Sequence, residues 1–309
     1  MAFLINIPNR KLDGLIERLS QDIPFSELHV YPDVKDPEQI EFALVWKHTH
    51  GSLSEFKNLK AISSFGAGVD SILSDPYLPE VPIARIVDDR LADDMAKYLL
   101  TTVQQHKLRF AQFRIQQQQS LWKPKGKRKG NRVGILGLGQ LGQKAAKVFN
   151  FFDFDVSGWS RTNKEVDGVT CYSGEQGLFK LVQQSDYLIC LLPLTEQTKG
   201  ILNLSLFEQL PKEAVLINVA RGEHLVENDL LIALENDLIE DAYLDVFAQE
   251  PLPQNHPFWS HPNIHITPHI SAVTSLETAA TQIIENYKIV KSTGAGEKMK
   301  HLIDKIRAY

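Results

Sequence analysis

Short apolar runs alternate with amphipathic segments over the first 88 residues of the chain. Within residues 11–20, Leu12, Leu15, Ile16 and Leu19 share one face of a helix. Five runs have the length and the aliphatic or aromatic content of buried strands, and these are residues 2–7, 28–31, 42–46, 61–64 and 83–87. Because strands that alternate with helices form mostly parallel sheets covered on both faces, this region is predicted to be a doubly wound, flavodoxin-like α/β domain.

A different pattern follows at residues 91–119, where apolar residues recur every three or four positions. Met95, Leu99, Val103 and Phe110 belong to this repeat. The spacing predicts one uninterrupted helix, long enough to connect two domains or to present a face to a second subunit.

The next segment, residues 123–132, reads KPKGKRKGNR and is strongly basic. Such a run is typical either of a nucleic-acid or localisation patch or of a solvated connection. The connection is favoured, because no aromatic residue interrupts the run and the whole chain carries a formal net charge of −5. We therefore expect no nucleic-acid partner.

A second α/β series begins at Asn131 and predicts a Rossmann domain. Its strands are predicted at residues 132–136, 155–159, 187–191, 215–219, 241–244 and 264–267, and its helices at residues 143–152, 174–184, 204–209 and 227–236. A last helix, residues 274–292, leads back towards the first domain. We expect the Rossmann domain to span residues 99–287 and to be inserted in a first domain of residues 1–98, completed by residues 288–309.

Size and composition narrow the class of protein. A length of 309 residues suggests two domains, and contents of 43% hydrophobic and 23% charged residues are ordinary for a soluble globular protein. No stretch approaches the roughly 20 apolar residues of a membrane span. The two cysteines, Cys171 and Cys190, are too few for a disulfide framework and lack metal-ligand spacing. A cytoplasmic protein that acts on small molecules, without a metal or a membrane partner, is therefore expected.

A glycine-rich turn joins the first strand of the second series to its first helix. Gly137, Gly139 and Gly142 form the pattern GxGxxG, with Gln140 and Leu141 at the start of the helix. The first glycine permits a tight turn, the second lets the backbone approach a pyrophosphate, and the third lets helix pack on strand. The motif is weak by itself, but the flanking strand and helix favour dinucleotide binding over a purely steric turn.

The residues after the next strand indicate which dinucleotide is bound. An NAD-preferring site has an acidic residue there for the ribose 2′-hydroxyl, whereas this chain has Ser160, Arg161 and Thr162. A guanidinium forms paired, charge-assisted hydrogen bonds with a phosphate. NADP(H) is therefore the preferred cofactor and NAD(H) a possible one. The alternative for Arg161 is a solvent-exposed turn residue, but its position at the end of this strand favours the cofactor role.

Three stretches that follow predicted strands hold candidate catalytic groups: residues 218–222, 245–251 and 267–271, with Arg221, Glu250 and His269. Ligands of open α/β sheets bind at the carboxyl ends of the strands, where all three stretches should converge. Taken singly, each residue has an ordinary alternative as a surface charge, a turn acid or a loop histidine.

Taken together, the motifs NVARG, LDVFAQEPLP and ITPHIS after a glycine fingerprint resemble the D-isomer-specific 2-hydroxyacid dehydrogenase family. The sequence FGAGVD at residues 65–70 resembles the substrate loop of that family. Within the family, the chain is most similar to the glyoxylate and hydroxypyruvate reductases.

The resemblance implies a role for each residue type. Arg221 would hold a 2-oxo acid and polarise its carbonyl, His269 would donate the proton, and Glu250 would hold the imidazole and stabilise its charged form. The remaining cofactor contacts would come from Leu192, Pro193, Thr198, Val219, Ala220 and Asp245, besides Arg221 and His269. The substrate contacts would come from Trp46, Gly66, Ala67 and Gly68, together with Arg221 and His269.

Two further points stay open. Trp122 in similar proteins reaches the partner subunit's site, which implies a homodimer, whereas a tryptophan buried beside the linker is the alternative. The activity itself has two rivals: a dehydrogenase of a larger D-2-hydroxy acid, and a cofactor-sensing, corepressor-like binding protein on the same fold.

Overall fold

The computed structural model describes residues 1–304, apart from the side chain of Asp89. The backbone divides into two compact units: Met1–Asp89 with the chain from Thr274 onward, and Arg90–Val273. The boundaries expected at residues 98 and 287 fall inside two helices, Asp89–Lys107 and Leu276–Thr293. A contiguous apolar face keeps each helix with one unit, so the chain changes units near the helix ends.

The first unit contains a five-stranded parallel sheet with the strand order β2-β1-β3-β4-β5. The strands are β1 (Ala2–Asn6), β2 (Leu28–Val30), β3 (Ile40–Val45), β4 (Ala61–Ser64) and β5 (Ile83–Ala84). Helices α1 (Asp13–Ser20) and α2 (Asp70–Leu73) belong to the same unit. This is the strand order of flavodoxin-like folds.

Helix α9 (Leu276–Thr293) covers one face of the first sheet. Its buried residues include Ala280, Ile283 and Tyr287, and the Tyr287 ring packs edge-on against Phe3 and Phe42 with centroids 5.2 and 5.6 Å apart. The apolar positions recur at helical spacing along the whole helix, which explains why all of α9 belongs to the first unit.

The second unit contains a seven-stranded parallel sheet with the order β12-β11-β10-β9-β6-β7-β8. The strands are β6 (Arg132–Leu136), β7 (Asp155–Ser160), β8 (Thr170–Ser173), β9 (Tyr187–Cys190), β10 (Val215–Asn218), β11 (Asp241–Leu244) and β12 (Ile264–Ile266). The helices are α3 (Asp89–Lys107), α4 (Phe110–Gln118), α5 (Gln140–Phe151), α6 (Gly174–Val182), α7 (Leu204–Phe207) and α8 (Glu227–Glu235). Counted from β6, the order is that of a Rossmann sheet with one added strand. Strand β8 is not apparent from the sequence, because it is a short edge strand without a fully buried residue.

The prediction of one uninterrupted helix over residues 91–119 was wrong. Helix α3 ends at Lys107, and Arg109 adopts a left-handed backbone conformation (φ 61°) before α4 begins. Such a residue ends a helix. The basic segment satisfies the helix end, because the amide of Arg128 donates to the carbonyl of Lys107 (2.8 Å) and Arg109 Nε donates to the carbonyl of Gly126 (2.8 Å). The apolar spacing continued across the break and concealed it.

Among the helices formed by residues 1–304, none combines the length and the apolar character needed to cross a bilayer.

Candidate active site

The glycine turn between β6 and α5 has the shape that a pyrophosphate requires. Gly137 has φ 106°, and a Cβ there would lie 2.7 Å from the carbonyl oxygen of Leu191. A Cβ on Gly142 would lie 1.9 Å from the carbonyl oxygen of Gly137, so helix and turn are in direct contact. A Cβ on Gly139, by contrast, would meet no described protein atom within 4 Å. The first and third glycines are needed for packing, and the second leaves open space.

The start of α5 faces this open space without a protein cap. Gly139 is the N-cap residue and provides no side-chain hydrogen bond, so the first amides of the helix, on Gln140, Leu141 and Gly142, lack an intrahelical acceptor. Free amides and the positive end of the helix dipole bind anions. These residues fit the pyrophosphate of a dinucleotide cofactor.

The turn after β7 presents a cation beside the glycine loop. Arg161 and Thr162 are exposed, and Arg161 forms no ion pair within residues 1–304. The hydroxyl of Ser160, in contrast, is buried and donates to the carbonyl of Thr162 (2.8 Å), so it shapes the turn. The Nζ atom of Lys164 donates to the carbonyl of Leu138 in the glycine loop (2.8 Å), which adds a second positive charge that the motif alone did not indicate.

The segment after β9 is ordered by the hydroxyl of Thr198. This hydroxyl donates to the carbonyl of Pro193 (2.7 Å) and accepts from the amide of Thr195 (2.9 Å). Leu192 is buried, whereas Pro193 is exposed. Thr198 therefore builds the loop in which the expected cofactor-lining residues lie.

Arg221 is held by a turn that Asn218 forms at the end of β10. The buried Asn218 side chain accepts from the amide of Ala220 (3.2 Å) and donates to the carbonyl of Arg221 (3.0 Å). The amide of Arg221 donates to His224 Nδ1 (3.2 Å). Burial lowers the pKa of His224, although its backbone contacts oppose the change, so the imidazole is neutral and accepts this bond. Val219 and Ala220 are buried in the same turn.

Gly222 brings this turn against the loop that carries Glu250. A Cβ at Gly222 would lie 1.9 Å from the carbonyl carbon of Phe247, so no side chain fits there. The amide of Phe247 in turn donates to Glu250 Oε1 (3.2 Å). The Arg221 turn and the Glu250 loop are therefore packed together through backbone contact.

Asp245 anchors the loop that carries His269. Its fully buried carboxylate accepts from the hydroxyl of Thr267 (2.6 Å) and from the amides of Ile270 and Ser271 (both 2.9 Å). Tyr98 Oη lies 2.6 Å from Thr267 Oγ1. Since the Thr267 proton is used on Asp245, Tyr98 is the donor, and burial raises the pKa of Tyr98. The family resemblance implies a cofactor contact for Asp245, whereas in the structure its carboxylate accepts the hydrogen bonds of this loop.

His269 and Glu250 form the pair that the motifs predicted. His269 Nδ1 lies 2.9 Å from Glu250 Oε2 and 3.0 Å from Oε1. The His269 backbone is left-handed (φ 54°), and its amide donates to the carbonyl of Asp245 (2.8 Å). The His269 side chain is 38% exposed and that of Glu250 is 21% exposed. The carboxylate fixes the ring through Nδ1, which leaves Nε2 to meet a ligand.

The expected substrate loop lies in the first unit, after β4. A Cβ at Gly66 would lie 2.4 Å from the ring of Trp46, so glycine is needed where the loop crosses the tryptophan. The hydroxyl of Ser64 donates to the carbonyl of Gly68 (3.0 Å) and accepts from the amide of Gly66 (3.2 Å). Ala67, between the two glycines, is partly exposed. One buried serine therefore fixes the conformation of this loop.

Fold and site together define a dinucleotide-dependent α/β dehydrogenase. Residues 99–271 match the family model described as D-isomer specific 2-hydroxyacid dehydrogenase, NAD binding domain. The chain belongs to the D-isomer-specific 2-hydroxyacid dehydrogenase family.

Individual relatives agree with this assignment. The chain is 43% identical over 282 residues to glyoxylate/hydroxypyruvate reductase A of Yersinia enterocolitica, with 89% of each protein covered. A family member from Xanthobacter autotrophicus, solved with NADPH and MES, superposes with a TM-score of 0.90 at 35% identity, covering 100% of this chain and 99% of that one. An NADPH-dependent glyoxylate/hydroxypyruvate reductase from Sinorhizobium meliloti, solved with NADP and sulfate, has a TM-score of 0.90 at 31% identity and the same coverage.

Proposed function

We propose that this chain catalyses the NADPH-dependent reduction of small 2-oxo acids, with glyoxylate and hydroxypyruvate as substrates and glycolate and D-glycerate as products. The observation that carries the proposal is the Glu250–His269 pair, 2.9 Å apart and partly exposed at the carboxyl edge of the Rossmann sheet. The names of the relatives from Yersinia enterocolitica and Serratia proteamaculans, which are 43% and 40% identical, support these substrates.

The cofactor assignment depends on the two ends of the dinucleotide site. The open Gly139 backbone and the uncapped start of α5 would hold the pyrophosphate, and the exposed Arg161 would pair with the 2′-phosphate. Relatives from Xanthobacter autotrophicus and Sinorhizobium meliloti were solved with NADPH or NADP, which supports this choice. When bound, NADPH supplies the hydride.

Residues of the chain would position the substrate and donate the proton. Arg221 binds the carboxylate and keto oxygen of the substrate and stabilises the negative charge that develops on that oxygen. His269 donates a proton from Nε2 to the same oxygen, and Glu250 holds the ring through Nδ1 so that Nε2 faces the substrate. In the reverse direction His269 accepts the proton. One 2-oxo acid, one NADPH and one proton give one 2-hydroxy acid and one NADP⁺.

A substrate panel tests the proposal. The full chain is mixed with NADPH and, in turn, with glyoxylate, hydroxypyruvate, pyruvate and phenylpyruvate, and NADPH absorbance is followed. We expect the highest kcat/KM with the first two acids. A preference for phenylpyruvate would instead indicate a dehydrogenase of larger acids. NADPH binding without oxidation by any of the four would indicate a cofactor sensor.

We also propose that the chain forms a homodimer through the surface that includes α4 and the segment after it. Trp122 is 96% exposed, so the alternative of a tryptophan buried beside the linker was wrong. Phe110, Ile115 and Leu121 are exposed in the same region, and apolar residues gathered on a surface mark protein contacts.

Light scattering coupled to gel filtration should give twice the mass of one chain, and Trp122→Ser should shift the equilibrium towards monomer. A monomeric mass for the unmodified chain at micromolar concentration would contradict the proposal.

A further inference from the structure

A second group of polar side chains lies at the opposite, amino edge of the Rossmann sheet. His106 near the end of α3, Glu240 just before β11 and Asp241 at the start of β11 form what we call the amino-edge cluster. One ligand atom from each residue lies within 4.8 Å of the other two. Asp241 is separated from Asp245 by four residues of extended strand, about 13 Å, so the cluster is separate from the Glu250–His269 site.

His106 directs an unsatisfied nitrogen into this cluster. The residue is 6% exposed, and its Nε2 atom is buried without a hydrogen-bond partner. The carboxylate oxygens that face it are Glu240 Oε2 at 3.5 Å and Asp241 Oδ2 at 3.4 Å, both beyond the usual 2.7–3.2 Å of an N–H···O hydrogen bond. Because buried polar atoms in native proteins almost always have a partner, this nitrogen calls for a physical explanation.

The distances from His106 Nε2 to the two carboxylate oxygens match the coordination of a small divalent cation. Zinc binds histidine nitrogen and carboxylate oxygen at roughly 2.0–2.2 Å, and the ligands of a tetrahedron with arms of that length are about 3.3–3.6 Å apart. The two distances from His106 Nε2 fall within this range. An octahedral site of the same radius needs shorter separations, of about 3 Å.

The surroundings of each residue leave one atom for the ion. Glu240 Oε1 is bound by Arg128 Nη1, and Asp241 Oδ1 accepts from Asn263 Nδ2 (3.2 Å). The other oxygen of each carboxylate faces His106. His106 Nδ1 lies 3.0 Å from the hydroxyl of Tyr187, so its proton has an acceptor and Nε2 can present its lone pair. Such outer contacts are typical of metal sites, where they orient the ligands.

We propose that His106, Glu240 and Asp241 form a binding site for a divalent cation of a first-row transition metal, with Zn²⁺ as the best match. The two carboxylates offset the positive charge of the ion. The nearby Arg128 guanidinium pairs with Glu240 and lowers the net negative charge of the site. A cavity of about 410 Å³ is lined by Arg128, Glu240 and Asp241, so water can complete the coordination. The site would tie the end of α3 to the start of β11, which assigns it a structural role.

The decisive experiment uses the full chain, treated with a chelator, dialysed and crystallised with ZnCl₂. Anomalous difference maps on both sides of the zinc absorption edge should show a peak within about 2.0–2.2 Å of His106 Nε2, a Glu240 oxygen and an Asp241 oxygen. The absence of a peak there at saturating ZnCl₂, even with peaks at other histidines, would overturn the proposal and would favour a protonated His106 that pairs with the two carboxylates.

Calorimetric titration with ZnCl₂ gives an independent readout in solution. It is done in a His269→Gln background to remove the exposed His269–Glu250 pair. The double change Glu240→Gln and Asp241→Asn should abolish the binding phase, and Tyr187→Phe should weaken it about 10- to 100-fold by removing the partner of Nδ1. The matched control, Glu235→Gln with Asp237→Asn, removes the same charge at exposed positions of this unit and should bind zinc normally. Equal zinc binding by both double variants would refute the assignment.

Discussion

The two edges of the Rossmann sheet differ in whether their buried polar side chains have hydrogen-bond partners. At the carboxyl edge, His269 and Glu250 are partly exposed on loops, and buried groups such as Asn218 and Asp245 are fully hydrogen-bonded beneath them. At the amino edge, the buried group itself is unsatisfied, since His106 Nε2 has no hydrogen-bond partner.

A site can therefore be built with its buried polar groups paired inside the protein, or with a buried polar group left for a ligand to pair. From these contacts we infer that the carboxyl edge is rigid without any ligand, because each buried donor and acceptor described above is paired inside the protein. At the amino edge, His106 Nε2 has no hydrogen-bond partner, and the proposed cation between His106, Glu240 and Asp241 would supply one. Substitutions at the carboxyl edge test this difference.

The largest effect is expected for His269→Gln. The amide is similar in size to the imidazole but is no acid at neutral pH, so kcat for glyoxylate reduction should fall about 1,000-fold, within the range for a lost general acid. NADPH binding, measured by fluorescence titration, should change little. The matched control is His265→Gln, a histidine on β12 that is not part of the proposed proton transfer. A His269→Gln enzyme with more than a tenth of the original kcat would refute the role of His269.

Asp245→Ala tests whether the buried anchor makes the carboxyl edge rigid. The change leaves the Thr267 hydroxyl and the amides of Ile270 and Ser271 without their acceptor. Each unsatisfied buried group costs about 1–3 kcal/mol, so we expect a loss of about 3 kcal/mol in the free energy of unfolding after partial relaxation, together with a lower kcat. Urea denaturation and steady-state kinetics measure both. Unchanged stability would mean that the His269 loop does not depend on Asp245.

The carboxyl edge could be predicted from the sequence because its residues occur in short motifs directly after apolar strands. Arg221, Glu250 and His269 each follow such a strand, and parallel strands end at one edge. The sequence did not indicate that Asp245 serves the loop, because a carboxylate beside a cofactor and one that accepts three loop donors have the same sequence signature.

The amino edge could not be predicted in this way. His106 lies on a helix whose apolar repeat makes it resemble a core residue, and it is far along the chain from Glu240 and Asp241. Only the packing of α3 against the sheet brings the three together. The break at Arg109 was hidden for a related reason, since the apolar spacing carries no information about which residue adopts positive φ.

Arg161→Ala tests the part of the carboxyl edge that is exposed and has no ion-pair partner within the described residues. Hydrogen bonds to a charged group contribute about 1.5–3 kcal/mol, so the ratio of kcat/KM with NADPH to that with NADH should fall about 10- to 100-fold. Activity with NADH should be nearly unchanged. Lys180→Ala removes an exposed cation on α6 and serves as the control. An unchanged ratio for Arg161→Ala would remove the basis of the NADP assignment.

The smallest effect concerns His224, which holds the Arg221 turn as a buried neutral acceptor. Burial lowers the pKa of His224 in the folded state, while in the unfolded chain it is about 6.5. The unfolded chain therefore binds the proton more readily, so this contribution to stability is complete above pH 6.5 and is lost as the pH falls towards the lowered folded pKa. This contribution to the free energy of unfolding amounts to at most about 1.4 kcal/mol per pH unit.

His224→Gln should therefore show a smaller decrease in Tm between pH 7.5 and 5.5 than the original chain, whereas His50→Gln, at an exposed position, should leave that decrease unchanged. An identical decrease in all three proteins would show that the Arg221 turn tolerates a charged His224, and the rigidity ascribed to the carboxyl edge would then have to come from Asn218 and Asp245 alone.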